Sequence, residues 1–264
     1  MSISLFSGCS FTAGTGFELG KDAPELWVNL LHSSHPKLNK TQLLNIGFAG
    51  RSTANIFKHT VFTILTEASI KYVFVNWTSV PRYELSLGLE EYNTWQGFKP
   101  GNIFDQRNLH NTVYTAEYLK KINDRFTTLT NDHSEIVDVL YYVNAINQLC
   151  QLKNCQVFHI NALCPWDNNY FTKLSNCLPN NYTNYTKKLI QIDSRDDDEV
   201  FRLYDKIHSE YNSTGGIQEH TWLNLYSSMI DQQVDVNSDK IHPGINSNQL
   251  YYQQFNQALE SKLL

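Results

Sequence analysis

Short apolar segments alternate with longer segments of helical periodicity along most of this chain. The apolar segments are rich in β-branched and aromatic residues, which is typical of buried strands. We predict strands over residues 3–7, 42–46, 72–75 and 155–162. Helices are predicted over residues 24–32, 53–69, 134–153 and 247–263. Strands separated by helices indicate an α/β fold, a parallel sheet with helices on both faces.

Two stretches interrupt this alternation and are predicted to be excursions from the sheet. Residues ~80–130 mix glycine, proline, asparagine and aromatic residues without one long period, and residues ~164–195 are also rich in loop-forming residues. In open α/β sheets, ligands bind outside the carboxyl ends of the strands, and long loops from those ends shape the site. We therefore expect a single domain over residues 1–264, in which the first excursion covers the site as a cap and determines substrate choice.

Composition restricts the classes of function. The chain has 264 residues, of which 41% are hydrophobic, and this is enough to bury a sizeable core. A net charge of -5 without a basic stripe argues against nucleic acid as the main partner. No apolar run approaches the ~20 residues that cross a bilayer, so no membrane partner is expected. The N-terminus leads directly into the first predicted strand, without the regions of a signal peptide, so a cytoplasmic location is expected.

The cysteines indicate neither a disulfide framework nor a zinc site. They are odd in number and contain no C-x-x-C pair; they are Cys9, Cys150, Cys155, Cys164 and Cys177. We expect reduced thiols and no bound metal.

The first predicted strand ends in the segment G-C-S-F-T-A-G, from Gly8 to Gly14. A glycine two residues before Ser10 lets the backbone turn tightly at the strand tip and expose the hydroxyl at the edge of the sheet. The same residues also fit an ordinary strand-to-helix turn, in which a serine caps the helix. This segment alone leaves both interpretations open.

A second candidate lies just before the C-terminal helix, where Asp239 and His242 are three residues apart. This spacing allows the carboxylate to bond one imidazole nitrogen while the other faces outward. Pro243 favours an extended backbone at His242. An oriented histidine is what a serine hydroxyl needs as a general base. Taken alone, the pair also fits a surface turn.

Taken together, these segments belong to an ordered set of four blocks. The blocks are Gly8-x-Ser10 after the first strand, Gly50 after the second, Asn76 after the third, and Asp239-x-x-His242 before the last helix. The set resembles the SGNH/GDSL hydrolase superfamily, whose blocks supply Ser, Gly, Asn and His. The resemblance spans nearly the whole chain apart from the two excursions. It is closest to variants that open with G-C-S-F-T, which occur in bacterial and phage proteins.

The resemblance implies a flavodoxin-like α/β/α sandwich and the transfer of an acyl group to water, without a cofactor. By position, Ser10 would be the nucleophile, His242 the general base, and Asp239 the residue that orients the imidazole. The backbone N–H groups of Ser10 and Gly50 and the side-chain amide of Asn76 would form the oxyanion hole. The substrate would be a small-molecule or carbohydrate ester, such as an O-acetyl group on a sugar.

Two positions depart from the family pattern. Cys9 replaces the usual aspartate before the serine, and the third block keeps only Asn76 of the usual Gly-x-Asn-Asp. Cys9 as a thiol nucleophile is disfavoured, because adjacent residues on a tight turn point in different directions. A catalytically silent relative that serves as a binding or assembly module stays a second hypothesis.

Two further features invite a functional interpretation. Arg82, at the start of the first excursion, has two open roles: holding an anionic group of the substrate, or pairing with Glu84. The acidic run over residues 196–199 directly precedes a helical pattern. Acids at a helix N-terminus explain this run better than a metal site does.

Overall fold

The computed structural model describes residues 1–78, 83–86, 95–98, 132–163, 221–224 and 228–263, together with residues 117, 120 and 121. The chain divides into two compact units, Met1–Pro165 with His220–Leu264, and Trp166–Glu219. All of the described residues belong to the first unit.

Six strands and five α-helices make up the described part of the chain. The strands are β1 (Ile3–Gly8), β2 (Gln42–Asn45), β3 (Ile70–Trp77), β4 (Tyr83–Ser86), β5 (Trp95–Phe98) and β6 (Gln156–Asn161). The helices are α1 (Ser10–Ala13), α2 (Trp27–Ser34), α3 (Thr53–Thr66), α4 (Asp132–Leu152) and α5 (Ile245–Glu260). Short 3₁₀ turns lie at Gly20–Asp22 and Ile230–Gln232. Within these ranges, no helix has the length and apolar character needed to cross a bilayer.

The main sheet is parallel, with the strand order β2-β1-β3-β6. The chain leaves β1 toward β2 on one side and later returns to β3 on the other. This reversal makes the carboxyl ends of β1 and β3 the switch point at which open α/β sheets bind ligands. The register pairs Gly8 at the end of β1 with Asn76 near the end of β3.

Aromatic side chains form the core on one face of this sheet. Phe6, Phe74 and Phe158 stack across β1, β3 and β6, with ring centroids 4.4 and 5.2 Å apart. Trp27 of α2 meets Phe6 edge to face at 5.9 Å, and Phe255 of α5 meets Trp27 at 5.3 Å. Burying each such ring contributes roughly 1.5–3 kcal/mol to folding. Helices α2 and α5 therefore cover this face.

The opposite face of the sheet packs against α3, with α4 beside it. Ser7 follows Phe6 in β1 and so points to the other side, where its hydroxyl accepts a 2.8 Å hydrogen bond from Thr60 of α3. Ser52 caps α3, accepting from the backbone N–H of Asn55 at 3.1 Å. Helices on both faces of a parallel sheet confirm the predicted α/β fold.

The predicted elements are confirmed, but their bounds differ. Helix α2 begins at Trp27 rather than Pro24, because Ala23–Leu26 forms a turn closed by a 3.0 Å backbone bond. Helix α3 ends at Thr66 rather than residue 69, since the carbonyl of Ser69 accepts from the N–H of Ile3 at the start of β1. Pairing with β1 competes with the last turn of the predicted helix.

The predicted excursion over residues ~80–130 contains a separate sheet, in which β4 and β5 pair antiparallel. Arg82, most of this stretch and all of residues 164–195 lie outside the described residues. The single domain, the cap and the role of Arg82 therefore stay predictions.

Gly8 lies where the turn after β1 meets β3, which predicts a strong effect of Gly8→Ala. An added Cβ would lie 2.3 Å from Thr12 Oγ1 and 2.9 Å from Asn76 Cβ. We expect a loss of about 1–3 kcal/mol in the free energy of unfolding, measured by urea denaturation.

Gly50→Ala is the matched control for this substitution. A Cβ at Gly50 meets nothing within 4 Å, so only its φ of 80° opposes the alanine. A loss for Gly8→Ala no larger than that for Gly50→Ala would contradict the steric explanation.

Candidate active site

Ser10 is the first residue of α1, immediately beyond the carboxyl end of β1. Gly8 makes this possible, because it lets the turn pass close to both Thr12 and Asn76. Cys9 is the N-cap residue and is fully buried, whereas Ser10 is 8% exposed. The turn thus places the serine at the switch point of the sheet.

Asp239 and His242 form the pair that their spacing predicts. Nδ1 of His242 lies 2.6 Å from Oδ2 of Asp239, and the two side chains are 18% and 31% exposed. The other carboxylate oxygen, Oδ1, accepts from the backbone N–H groups of Ile241 and His242, both at 3.0 Å. An ionised carboxylate only accepts, so in the neutral imidazole Nδ1 carries the proton and Nε2 is left as an acceptor.

The hydrogen bonds to Asp239 keep its carboxylate ionised. Burial opposes ionisation of this group. The backbone N–H groups of His242 and Ile241 and the imidazole of His242 outweigh burial, and they hold the pKa of Asp239 below its usual range.

The loop that carries this pair is fastened to the N-terminus of α5 by Asp235. Its carboxylate accepts from the backbone N–H groups of Asn246 at 2.9 Å and Ser247 at 2.7 Å, and from the hydroxyl of Ser247 at 2.5 Å. The N-cap residue, Gly244, has no side chain to do this. An added Cβ there would lie 2.5 Å from the Asp235 carboxylate. Asp235 thus acts as the cap of α5.

Sequence reasoning missed Asp235. The available signal was a helix whose N-cap position is glycine, which requires an acceptor from elsewhere in the chain. No spacing rule identifies which upstream carboxylate supplies it.

The turn after β1 and the histidine loop lie against each other. The rings of Phe11 and His242 meet edge to face, with centroids 6.2 Å apart. In the loop after α1, a Cβ on Gly16 would lie 3.0 Å from Oδ2 of Asp239. The residue after Ser10 thus packs against the imidazole, and the loop after α1 passes beside the Asp239 carboxylate.

Ser10 and His242 are connected only indirectly, through the contact between the ring of Phe11 and the imidazole. No hydrogen bond joins the Ser10 hydroxyl to the imidazole, both of which lie in the described part of the chain. Catalytic hydrogen bonds in enzymes without substrate are often long and shorten when substrate binds.

The loop with Gly50 lies beside the same turn. The backbone N–H of Phe48 donates to the carbonyl of Gly8 at 3.0 Å. Asn45 supports the loop, since its amide donates to the carbonyl of Thr12 at 2.8 Å and its oxygen accepts from the N–H of Gly47 at 2.9 Å. Gly50 has a φ of 80°, which favours glycine. Its role as an oxyanion donor stays a prediction.

Asn76 is buried at the end of β3, with 1% of its surface exposed. Its side-chain amide donates to Oγ1 of Thr12 at 3.0 Å and lies 3.4 Å from the sulfur of Met229. Sequence reasoning missed Thr12, whose buried hydroxyl ties α1 to β3. The predicted oxyanion role of Asn76 also stays a prediction.

His159 belongs to the core rather than to the site. Burial lowers its pKa to about 3, so the ring is neutral. Its Nδ1 accepts from the indole of Trp77 at 3.1 Å, and its Nε2 donates to the amide oxygen of Asn147 at 2.8 Å. Its polar atoms thus have partners inside the fold.

A scan against models of known protein families finds no match, and a comparison with curated proteins finds none either. Solved structures do resemble the chain. TesA gives a TM-score of 0.47 and 13% identity over 99% of each chain. A lipolytic protein of the G-D-S-L family from Veillonella parvula DSM 2008 gives a TM-score of 0.39 and 13% identity, over 98% of this chain and 97% of that chain. The acetylxylan esterase Axe2 from Geobacillus stearothermophilus gives a TM-score of 0.42 and 10% identity, over 98% of this chain and 94% of that chain.

One of these solved structures belongs to the G-D-S-L family, which the four ordered sequence blocks also resemble. Because the scores and identities are low, the assignment of the site rests on the residues of this chain.

The acidic cap predicts how Asp235→Asn changes stability with pH. Burial works to raise the pKa of Asp235, but hydrogen bonds from Ser247 and Asn246 outweigh it and hold the pKa below its usual range. A carboxyl whose folded pKa is depressed stabilises the fold above its unfolded pKa of about 3.9 and loses that effect as pH falls through the folded pKa. Urea unfolding at pH 7 should show a loss of roughly 0.3–1 kcal/mol in the free energy of unfolding, because the variant keeps an acceptor oxygen but loses the charge, and this loss should shrink below about pH 4.

Glu18→Gln, on the exposed surface, is the control carboxylate for this experiment. A difference between wild type and Asp235→Asn that stays constant from pH 7 to pH 3 would show that the charge of Asp235 does not hold the loop.

Proposed function

We propose that the chain is a serine esterase of the SGNH/GDSL type, with Ser10 as nucleophile, His242 as general base and Asp239 as its orienting residue. The observation that carries the proposal is the 2.6 Å bond between Asp239 and Nδ1 of His242. It leaves Nε2 as an acceptor, in a loop whose imidazole packs against Phe11, the residue after Ser10.

In the proposed reaction, Ser10 Oγ attacks the ester carbonyl while Nε2 of His242 takes its proton. The imidazolium that forms is stabilised by the Asp239 carboxylate, which stays ionised because of its low pKa. The tetrahedral intermediate collapses when the imidazolium protonates the leaving alcohol. Water, deprotonated by the same nitrogen, then releases the acid from the acyl-enzyme.

The developing negative charge needs donors aimed at the oxyanion. We infer that the backbone N–H groups of Ser10 and Gly50 and the amide of Asn76 supply them. Removing one such donor costs about 2.7–4 kcal/mol in other serine hydrolases. The amide nitrogen carries two hydrogens, one donated to Thr12 and one directed at the sulfur of Met229, so one of these two contacts has to be given up for Asn76 to take part.

A short acyl group on a carbohydrate is the substrate that we favour. Phe48, beside the turn that carries Ser10, is 55% exposed, and the guanidinium carbon of Arg51 lies 5.6 Å above its ring. A half-exposed aromatic ring with a cation over one face can stack on a sugar ring through its other face, while the cation bonds the sugar hydroxyls. The choice of substrate class rests on these two side chains.

The second candidate function is a catalytically silent binding or assembly module. Two observations favour it: Ser10 makes no hydrogen bond to His242, and the Asn76 amide is engaged by Thr12. Measured ester turnover distinguishes the two functions, because only the esterase hydrolyses an ester.

Substitutions of the triad should remove hydrolysis of p-nitrophenyl acetate. We expect Ser10→Ala and His242→Ala to lower kcat by at least about 10³-fold, and Asp239→Asn by less, because the histidine is still present. His242→Ala should also remove the rise of the rate with pH that an imidazole base produces. Initial rates against pH measure both effects, and circular dichroism checks folding.

Thr15→Ala is the control for effects of local packing, because it changes the loop after α1 and leaves the proposed triad intact. This variant should keep most of the wild-type turnover. Turnover by folded Ser10→Ala equal to that of the wild type would contradict the assignment of the nucleophile.

Asn76→Ala and Thr12→Val separate a catalytic amide from a structural one. Both variants break the bond between Asn76 and Thr12, but only Asn76→Ala removes the amide. If the amide stabilises the oxyanion, Asn76→Ala should lower kcat by about 10²–10³-fold with little change in KM, while Thr12→Val keeps most of kcat. Equal losses of kcat in the two variants would mean that Asn76 acts only through Thr12.

A further inference from the structure

The turn between α4 and β6 brings two cysteines together. Asn154 has a φ of 54°, and its N–H donates to the carbonyl of Gln151 at 3.1 Å. The N–H of Cys155 donates to the carbonyl of Cys150 at 2.9 Å. These two bonds around a left-handed residue are those of a Schellman motif, which ends many helices.

In this motif, one hydrogen bond joins residues five apart in the sequence, and the side chains of those two residues commonly contact each other. Here those positions are Cys150 and Cys155. The sulfur of Cys155 also lies 3.5 Å from the carbonyl oxygen of Cys150. Both thiols are free, Cys150 is fully buried, and Cys155 is partly exposed.

The two thiols differ in acidity. The neighbouring Cys150 side chain lowers the pKa of Cys155, and the Lys153 ammonium adds to this effect against the opposing effect of burial. The Cys155 side chain in turn raises the pKa of Cys150, and burial adds to this rise. An accessible thiol of low pKa next to a second thiol is the arrangement of redox-reactive cysteines.

We propose that Cys150 and Cys155 are a redox-reactive pair that closes to a disulfide across the turn from α4 to β6. Cys155 is the attacking thiol and Cys150 the resolving one. This revises the expectation that all thiols stay reduced, although the pair is not part of a structural disulfide framework.

Closing this disulfide requires an oxidant, and glutathione disulfide is a suitable one. The Cys155 thiolate attacks one of its sulfurs, forming a mixed disulfide and expelling one glutathione thiolate. The Cys150 sulfur, as it loses its proton, then attacks the sulfur of Cys155 and expels the second glutathione. Two protein thiols are oxidised, one glutathione disulfide is reduced to two glutathione thiols, and the two protons end on those thiols.

The pair is remote from the candidate active site along the strands. It lies at the amino end of β6, whereas Ser10 follows the carboxyl end of β1, and the strands are parallel. Disulfide formation is therefore independent of the proposed esterase activity, and a failure of one leaves the other standing.

Tryptic mapping of the full-length chain tests the proposal. Trypsin cleaves after Lys153, so Cys150 lies in the peptide 126–153 and Cys155 in the peptide 154–173. Because Cys164 shares the second peptide, the experiment uses a Cys164→Ser/Cys177→Ser background. After glutathione disulfide treatment, mass spectrometry should find the two peptides joined and lighter by two hydrogens, and dithiothreitol should separate them.

Two alanine variants in that background test the order of attack. Cys150→Ala should keep one glutathione on Cys155, and Cys155→Ala should leave Cys150 unmodified. Iodoacetamide should alkylate Cys155 at least about tenfold faster than Cys150 in the reduced parent. The proposal is overturned if the parent retains glutathione on Cys155 without forming the link, if it does not react, or if both variants take up glutathione equally.

Discussion

The hydrogen bond between Asp239 and His242 is the interaction on which the candidate site depends. One carboxylate oxygen bonds the ring, and the other bonds the two backbone N–H groups of the turn, so ring and backbone are oriented by the same side chain. A histidine free to rotate would present either nitrogen to the serine. Here the carboxylate selects the tautomer that leaves Nε2 as an acceptor, which is what the proposed role of His242 as general base requires.

The fold brings this pair next to the turn that follows β1. Asp235 fastens the histidine loop to α5, and α5 packs through Phe255 and Trp27 onto the aromatic face of the sheet. On the other side of the site, Gly8 allows the turn after β1 to pass against Asn76. The position of the proposed general base is thus determined by a helix cap and by the packing of aromatic rings some distance from it.

The order of elements and the main candidate residues could be predicted from the sequence, because each carries a local signal. Alternating apolar segments predict strands and helices, and Asp239 with His242 can pair within one turn. Thr12 and Asp235 could not be predicted in this way. Each acts on a residue that is distant in sequence, Thr12 on Asn76 and Asp235 on the N-terminus of α5, and such contacts exist only once the sheet and helices have packed. The ends of α3 and β3 also lack a local signal, since pairing with β1 decides them.

The most direct measurement of the central claim is the site of modification by a fluorophosphonate, which reacts with serines activated by a neighbouring base. The wild-type chain is treated with the probe and digested, and the labelled peptide is sequenced by mass spectrometry. An activated triad predicts one label, on Ser10, which is lost when His242 is replaced by alanine. No label on the folded protein, or a label on another residue, would contradict the claim that Ser10 and His242 form a catalytic pair.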